Sequence, residues 1–258
     1  MTSTASPAEP TLFRPEEIRV GRGPGPWRQP LFYDGRNDVA LLCDAPGTDT
    51  DDNPPLSEFN EFQFVLRGEY EFHIGSFPPV LSAKGDIVRR PSGLALSARV
   101  VGDQDGLRAA VSRSQDIVES EGRQMCDESL DPTQPPNMLV TRTRDLLASS
   151  DQRRFTIIED DLNTMYLIRE RPGDVSNAHW HFDFDEWWVI GGGELLFEVG
   201  EGRPKLHARE GDIVFTPRGF RHQIATLGDG VSLRMPVTTA DNVHIWTDDD
   251  SSAPPPRE

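Results

Sequence analysis

One short block of the sequence concentrates side chains that bind divalent metals. Between Gly173 and Gly193 it places His179 and His181 two residues apart and Glu186 five residues further on. Residues two apart in an extended strand point to the same side, so the two imidazoles are expected to share a face. The odd interval from His181 to Glu186 would break that alternation, and a turn or bulge is therefore predicted between them.

A second block supplies a third imidazole. It begins at Gly211, passes through a turn at Pro217–Gly219 and reaches His222. Three imidazoles and one carboxylate suit a borderline divalent ion, and Fe(II), Mn(II), Ni(II), Cu(II) and Zn(II) are all compatible with these donors. A single histidine on a strand is more often structural, but this combination at fixed spacing rarely arises by chance. We predict one divalent metal per chain, bound by His179, His181, Glu186 and His222.

Both blocks resemble the two sequence motifs of the cupin superfamily in residue type and spacing. One departure is that Ile224, Ala225 and Thr226 follow Gln223, where an Asn often closes the second motif. The resemblance implies a double-stranded β-helix barrel with the metal near one end. It leaves the function open, because cupins include dioxygenases, decarboxylases, isomerases, lyases and non-catalytic binders.

The chain also contains an internal repeat. Gly68–Gly75 matches Gly193–Gly200 at an offset of 125 residues, and Gly85–Gly93 matches Gly211–Gly219 at an offset of 126. Several matches in register indicate a duplication rather than a shared turn type. The predicted fold is therefore all-β, with two tandem cupin barrels covering residues 11–128 and 129–247.

The first copy lacks the imidazoles of the second. The positions equivalent to the three histidines hold Pro54, Leu56 and Leu96, and only the carboxylate survives, as Glu61. One carboxylate alone will not hold a catalytic ion. We expect residues 11–128 to form a degenerate, structural barrel and residues 129–247 to form the metal-binding barrel.

The composition is typical of short strands joined by tight turns. The chain has 22 Gly and 22 Pro, and 36% of its residues are hydrophobic. Helix is expected mainly in the linker between barrels, within residues 139–150. The acidic segment 43–55 is expected to be a loop, and residues 1–10 and 248–258 are expected to be disordered. The clearest predicted strands are Glu61–Leu66, Asp86–Arg89, Met165–Arg169, Glu194–Val199 and Ser232–Val237.

The net charge of −17 argues against nucleic acid or an anionic membrane surface as a partner. No stretch has the length and apolarity of a transmembrane helix, and no signal-peptide pattern is found. Two cysteines, Cys43 and Cys126, do not make a disulfide framework. We expect a cytoplasmic protein with a small-molecule substrate, and a homodimer is compatible with the sequence.

Three residues are predicted to contact the substrate. By strand alternation Trp188 shares the inner face with Glu186, although burial alone also explains an aromatic residue there. Tyr166 is a candidate acid or base. Arg234 lies in an apolar strand and needs a partner, which is either a substrate carboxylate or an internal acid. The second interpretation has its own support, since Arg108 occupies the equivalent place in the metal-free copy.

The resemblance implies two classes of reaction and one non-catalytic role. We favour an Fe(II) oxygenase that uses O₂ on a small aromatic or unsaturated acid. The alternative is a redox-neutral isomerase, lyase or decarboxylase in which Mn, Ni, Zn or Fe acts as a Lewis acid. Its acid or base would have to be Glu186 or Tyr166, and the lack of a dedicated base favours the oxygenase. A non-catalytic small-molecule binder is the third interpretation.

Overall fold

The computed structural model describes residues 5–51, 59–113 and 134–246. Within these ranges the chain is mostly strand, with two helices, α1 (Pro15–Arg22) and α2 (Thr143–Ser149). The all-β prediction is confirmed, and α2 falls inside the predicted linker helix. Helix α1 was not predicted; Pro15 occupies its first position, where proline's missing N–H costs nothing. No helix in the described ranges is long and apolar enough to cross a membrane.

The chain divides into two compact units. The first comprises Met1–Ala5 and Pro15–Asp151, and the second comprises Ser6–Arg14 and Gln152–Glu258. These limits differ from the sequence-based ones, because the segment up to Asp151 joins the first unit. The boundary predicted at 128/129 and the segment 248–258 lie outside the described residues. Of the N-terminal segment expected to be disordered, residues 5–10 are described, and Ser6–Arg14 belongs to the second unit.

The first unit contains a six-stranded and a four-stranded sheet. The larger sheet has the order β11-β8-β5-β10-β3-β2 and the smaller has the order β4-β9-β6-β7. Their strands are β2 (Trp27–Tyr33), β3 (Asn37–Asp44), β4 (Asp49–Asp51), β5 (Glu61–Arg67), β6 (Glu69–Ile74), β7 (Val80–Ala83), β8 (Ile87–Arg90), β9 (Leu96–Val101), β10 (Gly106–Arg113) and β11 (Val140–Thr141).

The second unit contains a six-stranded and a five-stranded sheet. The larger has the order β1-β18-β15-β20-β13-β12 and the smaller has the order β17-β16-β19-β14-β21. Their strands are β1 (Thr11–Phe13), β12 (Arg154–Glu159), β13 (Asn163–Glu170), β14 (His179–Trp180), β15 (Glu186–Gly192), β16 (Glu194–Val199), β17 (Leu206–Arg209), β18 (Ile213–Thr216), β19 (His222–Leu227), β20 (Ser232–Thr239) and β21 (Ile245–Trp246).

The two larger sheets have equivalent strand orders. Strands β11, β8, β5, β10, β3 and β2 of the first unit correspond in turn to β1, β18, β15, β20, β13 and β12 of the second. This correspondence confirms the duplication. Each unit closes its core between two open sheets, in the manner of a β-sandwich. In the second unit Trp188 and Val214 of the larger sheet pack with Phe197 and Ile224 of the smaller one.

The predicted strands fall on β5, β8, β13, β16 and β20, with β8 beginning one residue after Asp86. The loop predicted over 43–55 is partly wrong. Cys43 and Asp44 end β3, and Asp49–Asp51 pairs with β9. Pro54 and Leu56 lie outside the described residues, whereas Leu96 is buried in the core of the first unit.

Candidate metal centre

The four predicted ligands come from both sheets of the second unit. His179 lies in β14 and is paired directly with His222, the first residue of the antiparallel strand β19. Glu186 is the first residue of β15 in the larger sheet. His181 follows β14, and the predicted break separates it from Glu186. The expectation that both histidines lie in one strand holds only for His179, because β14 ends at Trp180.

The ligand atoms of these residues converge. One donor atom from each of His179, His181, Glu186 and His222 lies within 4.8 Å of the others. The Glu186 Oε2 atom is 3.0 Å from His181 Nε2 and 3.1 Å from His222 Nε2. All four side chains are buried. Among the described residues, this is the cluster of histidine and carboxylate groups that is arranged to hold a metal.

The far side of each imidazole is fixed by the backbone. The Nδ1 atom of each histidine contacts a carbonyl oxygen, which can only accept a hydrogen bond. Nδ1 therefore carries a proton, and Nε2 is the nitrogen that faces the cluster, as in metal-binding histidines. The Nε2 atom of His181 also donates to the Glu186 carboxylate and must lose that proton before it can bind a metal. The pairs are His179 with Asn177 (2.9 Å), His181 with Val243 (2.7 Å) and His222 with Phe220 (3.2 Å).

Charges in the cluster shift its pKa values strongly. Burial alone would raise the pKa of Glu186, but the imidazoles of His181 and His222 hold it well below its usual value. Burial would lower the pKa of His181, yet the Glu186 carboxylate outweighs burial and raises it. Burial, with His222 nearby, lowers the pKa of His179 to about 3. Glu186 is therefore ionised, and His179 is neutral at physiological pH.

Two buried polar atoms at the cluster lack a hydrogen-bond partner. They are His222 Nε2, whose contact with Glu186 lacks hydrogen-bond geometry, and the Oγ1 atom of Thr216, the cross-strand neighbour of Glu186. Buried polar atoms are rarely left unpaired, because desolvating them costs free energy. A divalent cation would satisfy the nitrogen and offset the Glu186 charge. The donor set therefore fits one metal ion.

A buried acid holds the two motif segments together. Asp185 Oδ1 accepts hydrogen bonds from Arg218 N (2.8 Å) and Arg218 Nε (3.2 Å), and the amide of Gly219 donates to the carbonyl of His181. The loop before Glu186 is thereby tied to the turn that leads to His222. Both segments keep their ligands in a fixed relation before any metal binds.

The comparisons with known proteins agree with this geometry. Residues 166–239, which include all four predicted ligands, match the cupin domain family (Cupin_2). The second unit therefore contains a cupin domain. No match was found among the curated proteins searched.

Solved structures with the same fold include enzymes of two kinds. A cupin 2 conserved barrel domain protein from Leptotrichia buccalis has a TM-score of 0.67 and 9% identity, covering 93% of this chain and 100% of its own. Salicylate 1,2-dioxygenase from Pseudaminobacter salicylatoxidans has a TM-score of 0.68 and 12% identity, covering 93% and 86%. A tryptophan-to-tyrosine variant of oxalate decarboxylase from Bacillus subtilis has a TM-score of 0.52 and 14% identity, covering 82% and 71%. At these identities the likeness establishes the fold alone.

The predicted substrate residues of the second unit occupy different settings. Trp188 is buried in the core and meets the ring of His222 edge-on, with ring centroids 5.3 Å apart. Tyr166 is half-buried, and the Arg154 guanidinium lies 3.5 Å above its ring. The pairings on either side of Tyr166 in β13 place it on the sheet face that carries Arg234 and Glu186. Trp188 supports a ligand, and Tyr166 is the more accessible of the two.

The buried guanidinium of Arg234 has an internal partner. Arg234 Nη2 donates to Glu170 Oε1 at 2.7 Å, and Arg153 contacts the other oxygen of Glu170. In the first unit the equivalent Arg108 pairs with Asp44 at 2.8 Å. The internal ion pair is thus common to both units. A contact between Arg234 and substrate stays a prediction.

One residue at the centre was missed from the sequence. The ring of His244 lies 4.5 Å from that of His179 and 4.8 Å from that of His181, and it stacks on Trp246 at 5.3 Å. Burial lowers the pKa of His244. Strand β21 brings it there by pairing with β14. The available signal was that the chain has only six histidines, but His244 lies beyond both motifs.

Proposed function

We propose that the second unit is a metal-dependent oxygenase, with Fe(II) as its metal and a small aromatic or unsaturated organic acid as its substrate. The observation that carries the proposal is the buried set of His179, His181, Glu186 and His222, in which each histidine is oriented by a backbone carbonyl at Nδ1 and turns Nε2 toward the cluster. These four residues would hold an ion that prefers six donors and would leave it able to bind two reactants. When bound, Fe(II) supplies the redox chemistry that lets O₂ react with an organic substrate.

The charges of the site favour an anionic substrate. Three neutral imidazoles and one carboxylate around a divalent ion leave a single net positive charge. Because the ligands are buried, that charge acts in a low-dielectric setting and is poorly screened. A carboxylate or phenolate oxygen would neutralise it. Glu186 is the catalytic candidate among the protein groups, since its negative charge sets this balance.

Aromatic side chains near the ligands support a flat substrate. Trp246 contacts the ring of His179 at 5.1 Å and is 40% exposed, and Phe182, directly after His181, is 49% exposed. Exposed rings beside a polar centre can cover the face of an aromatic acid. Tyr166 and Arg234, on the same sheet face as Glu186, are the proposed polar contacts. The salicylate dioxygenase named above offers the matching precedent in fold.

A redox-neutral reaction is the second candidate. Its support is the similar fold of an oxalate decarboxylase, together with the half-buried residue Tyr166 on the sheet face of Glu186. In this case the ion would act as a Lewis acid for decarboxylation, isomerisation or elimination, and Mn, Ni, Zn or Cu could replace Fe. O₂ would then play no part.

Dependence on O₂ separates the two candidates. The full-length protein, loaded with Fe(II), would be given salicylate, catechol and oxalate in turn while O₂ consumption and product formation are followed. We expect O₂ uptake coupled to substrate loss, and none in the matched variant H179A. Product formed at an undiminished rate under strict anaerobiosis would reject the oxygenase and favour the redox-neutral alternative. Binding without any turnover would favour a non-catalytic role.

A further inference from the structure

His244 contacts the metal centre without being one of its four ligands. Its ring packs against the rings of His179 and His181 at 4.5 and 4.8 Å, which is as close as the ligand rings lie to one another. The parallel ring of Trp246 covers it, with an interplanar angle of 7°. The side chain is half-buried. The ring of His244 therefore lies where it could contact a compound bound to the metal.

His244 is oriented by the same backbone contact as two of the predicted ligands. Its Nδ1 atom is 3.0 Å from the carbonyl oxygen of Asn242, two residues earlier. His179 and His222 use the carbonyl two residues earlier in the same way. Because a carbonyl only accepts, the Nδ1 atom of His244 carries the proton, and Nε2 of the neutral ring is an acceptor. Within the described ranges of the chain, that Nε2 atom makes no hydrogen bond.

The backbone around His244 is built into the same centre. The carbonyl of the preceding residue, Val243, accepts the hydrogen bond that orients His181. Asn242 has a positive φ of 41°, and its amide donates to Thr239 Oγ1 at 3.1 Å. A non-glycine residue in this region is uncommon and turns the chain so that β21 returns to β14. One short segment thus orients a ligand and presents a further imidazole.

We propose that His244 Nε2 accepts a hydrogen bond from a hydroxyl group of the compound bound at the metal. The favoured ligand class is a chelating hydroxylated compound that keeps one O–H on binding. Such a contact fixes orientation and discriminates against ligands that lack the hydroxyl, because the acceptor is then left unpaired. This role rests on the proposed metal site but not on the reaction performed there. His244 would thus be a specificity-determining residue.

Binding to the cobalt-loaded protein tests this role without turnover. The visible spectrum of Co(II) would report titrations of the full-length protein with catechol, which carries hydroxyl groups, and with azide, which has no hydrogen. H244F and H244L both remove the acceptor. If one of the two variants fails to fold, the other still gives the test. H244Q keeps an acceptor. The matched control is H207F, which replaces an exposed histidine of the same unit.

We expect H244F and H244L to raise the Kd for catechol about tenfold, as loss of one hydrogen bond to a charged or polarised ligand would. Cobalt content and the Kd for azide should stay within about twofold of wild type. H244Q should recover part of the catechol affinity, and H207F should resemble wild type.

Several results would overturn the proposal. They are an unchanged catechol Kd in H244F and H244L, an equal weakening of azide, loss of cobalt from both variants, or a wild-type spectrum that catechol does not alter. A failed O₂-uptake assay alongside the expected binding pattern would reject the oxygenase and leave the role of His244 standing. The two failures are therefore distinguishable.

Discussion

The orientation of each histidine ligand is set by a hydrogen bond from its ring to a backbone carbonyl. The Nδ1 contacts of His179, His181 and His222 fix the tautomer that presents Nε2. Glu186 adds the single negative charge of the ligand set. The three imidazoles thus share one kind of backbone contact, whereas the carboxylate contributes the charge.

Replacing any one of the three histidine ligands should prevent stable metal binding. We expect H179A, H181A and H222A each to lower metal affinity by more than about 100-fold, because removing a ligand exceeds the effect of losing its outer partner. The fold should survive, since the core is apolar. E186A should be less severe, with three nitrogens remaining. Metal analysis and circular dichroism would measure this against H207A, and full metal occupancy in H222A would contradict the assignment.

The raised pKa of His181 predicts opposite pH trends for the metal-free and metal-loaded protein. Glu186 raises that pKa above the ordinary value for histidine, so the folded state binds a proton more tightly than the unfolded state. The resulting stability is complete below the unfolded pKa and is lost as pH rises through the folded pKa. Metal binding needs the neutral ring, so metal affinity should instead increase over the same window.

Urea unfolding of the metal-free protein across this window is the measurement. The free energy of unfolding should fall as pH rises past the unfolded pKa of His181. In E186Q the trend should largely disappear, because the carboxylate that raises the pKa is gone. An identical pH dependence in E186Q and wild type would show that another group is responsible.

Sequence spacing was enough to bring the four ligands together but not to find their neighbours. His179, His181 and Glu186 lie within one short block, where strand alternation limits the options. His244 is distant from that block in sequence, and only the pairing of β21 with β14 places it there. The partner of Arg234 was open for the same reason, because Glu170 lies 64 residues away.

At the level of elements, one cross-strand position distinguishes the two units. In the second unit Glu186 of β15 faces Thr216 of β18, and in the first unit Glu61 of β5 faces Arg90 of β8. Arg90 is buried and forms an ion pair with Glu61. The guanidinium thus supplies the positive charge that a metal would supply in the second unit. The sequence predicted the loss of ligands there but not this replacement.

Breaking the Glu61–Arg90 pair should destabilise the first unit without creating a metal site. R90M removes the buried guanidinium that pairs with a mostly buried carboxylate, and breaking such a pair typically costs about 3–5 kcal/mol of unfolding free energy. The double variant E61Q/R90M should recover much of that loss, because both charges of the pair are then removed together. Denaturation in urea would measure both, and metal analysis should still give one ion per chain. A second ion in R90M would reject a metal-free first unit.

At the scale of the whole molecule, the duplication includes short strands that lie outside the repeated sequence segments. The larger sheet of each unit ends in a short strand, β11 in the first unit and β1 in the second, at equivalent places in the strand order. Three-residue and two-residue strands carry too little periodicity to be recognised from sequence. The duplication itself was predictable because glycine-rich turns recur in register.

The assignment of β1 to the metal-binding unit has a consequence far from the ligands in sequence. Leu12 pairs with Val214 of β18 and packs against the core of the second unit. L12D would place a charged side chain against this apolar core and should lower the unfolding free energy of this unit by about 1–2 kcal/mol. Because β18 also pairs with the strand that begins at Glu186, metal affinity should fall as well.

Hydrogen exchange of the β18 amides would detect this effect directly. Faster exchange at residues 213–215 in L12D is expected, since their pairing with β1 would weaken. The control is V20D, which also replaces an aliphatic residue by aspartate, at a position of α1 that is 70% exposed. V20D should leave both exchange and metal affinity unchanged. Equal exchange in L12D and wild type would mean that the N-terminal strand contributes nothing to the unit that holds the ligands.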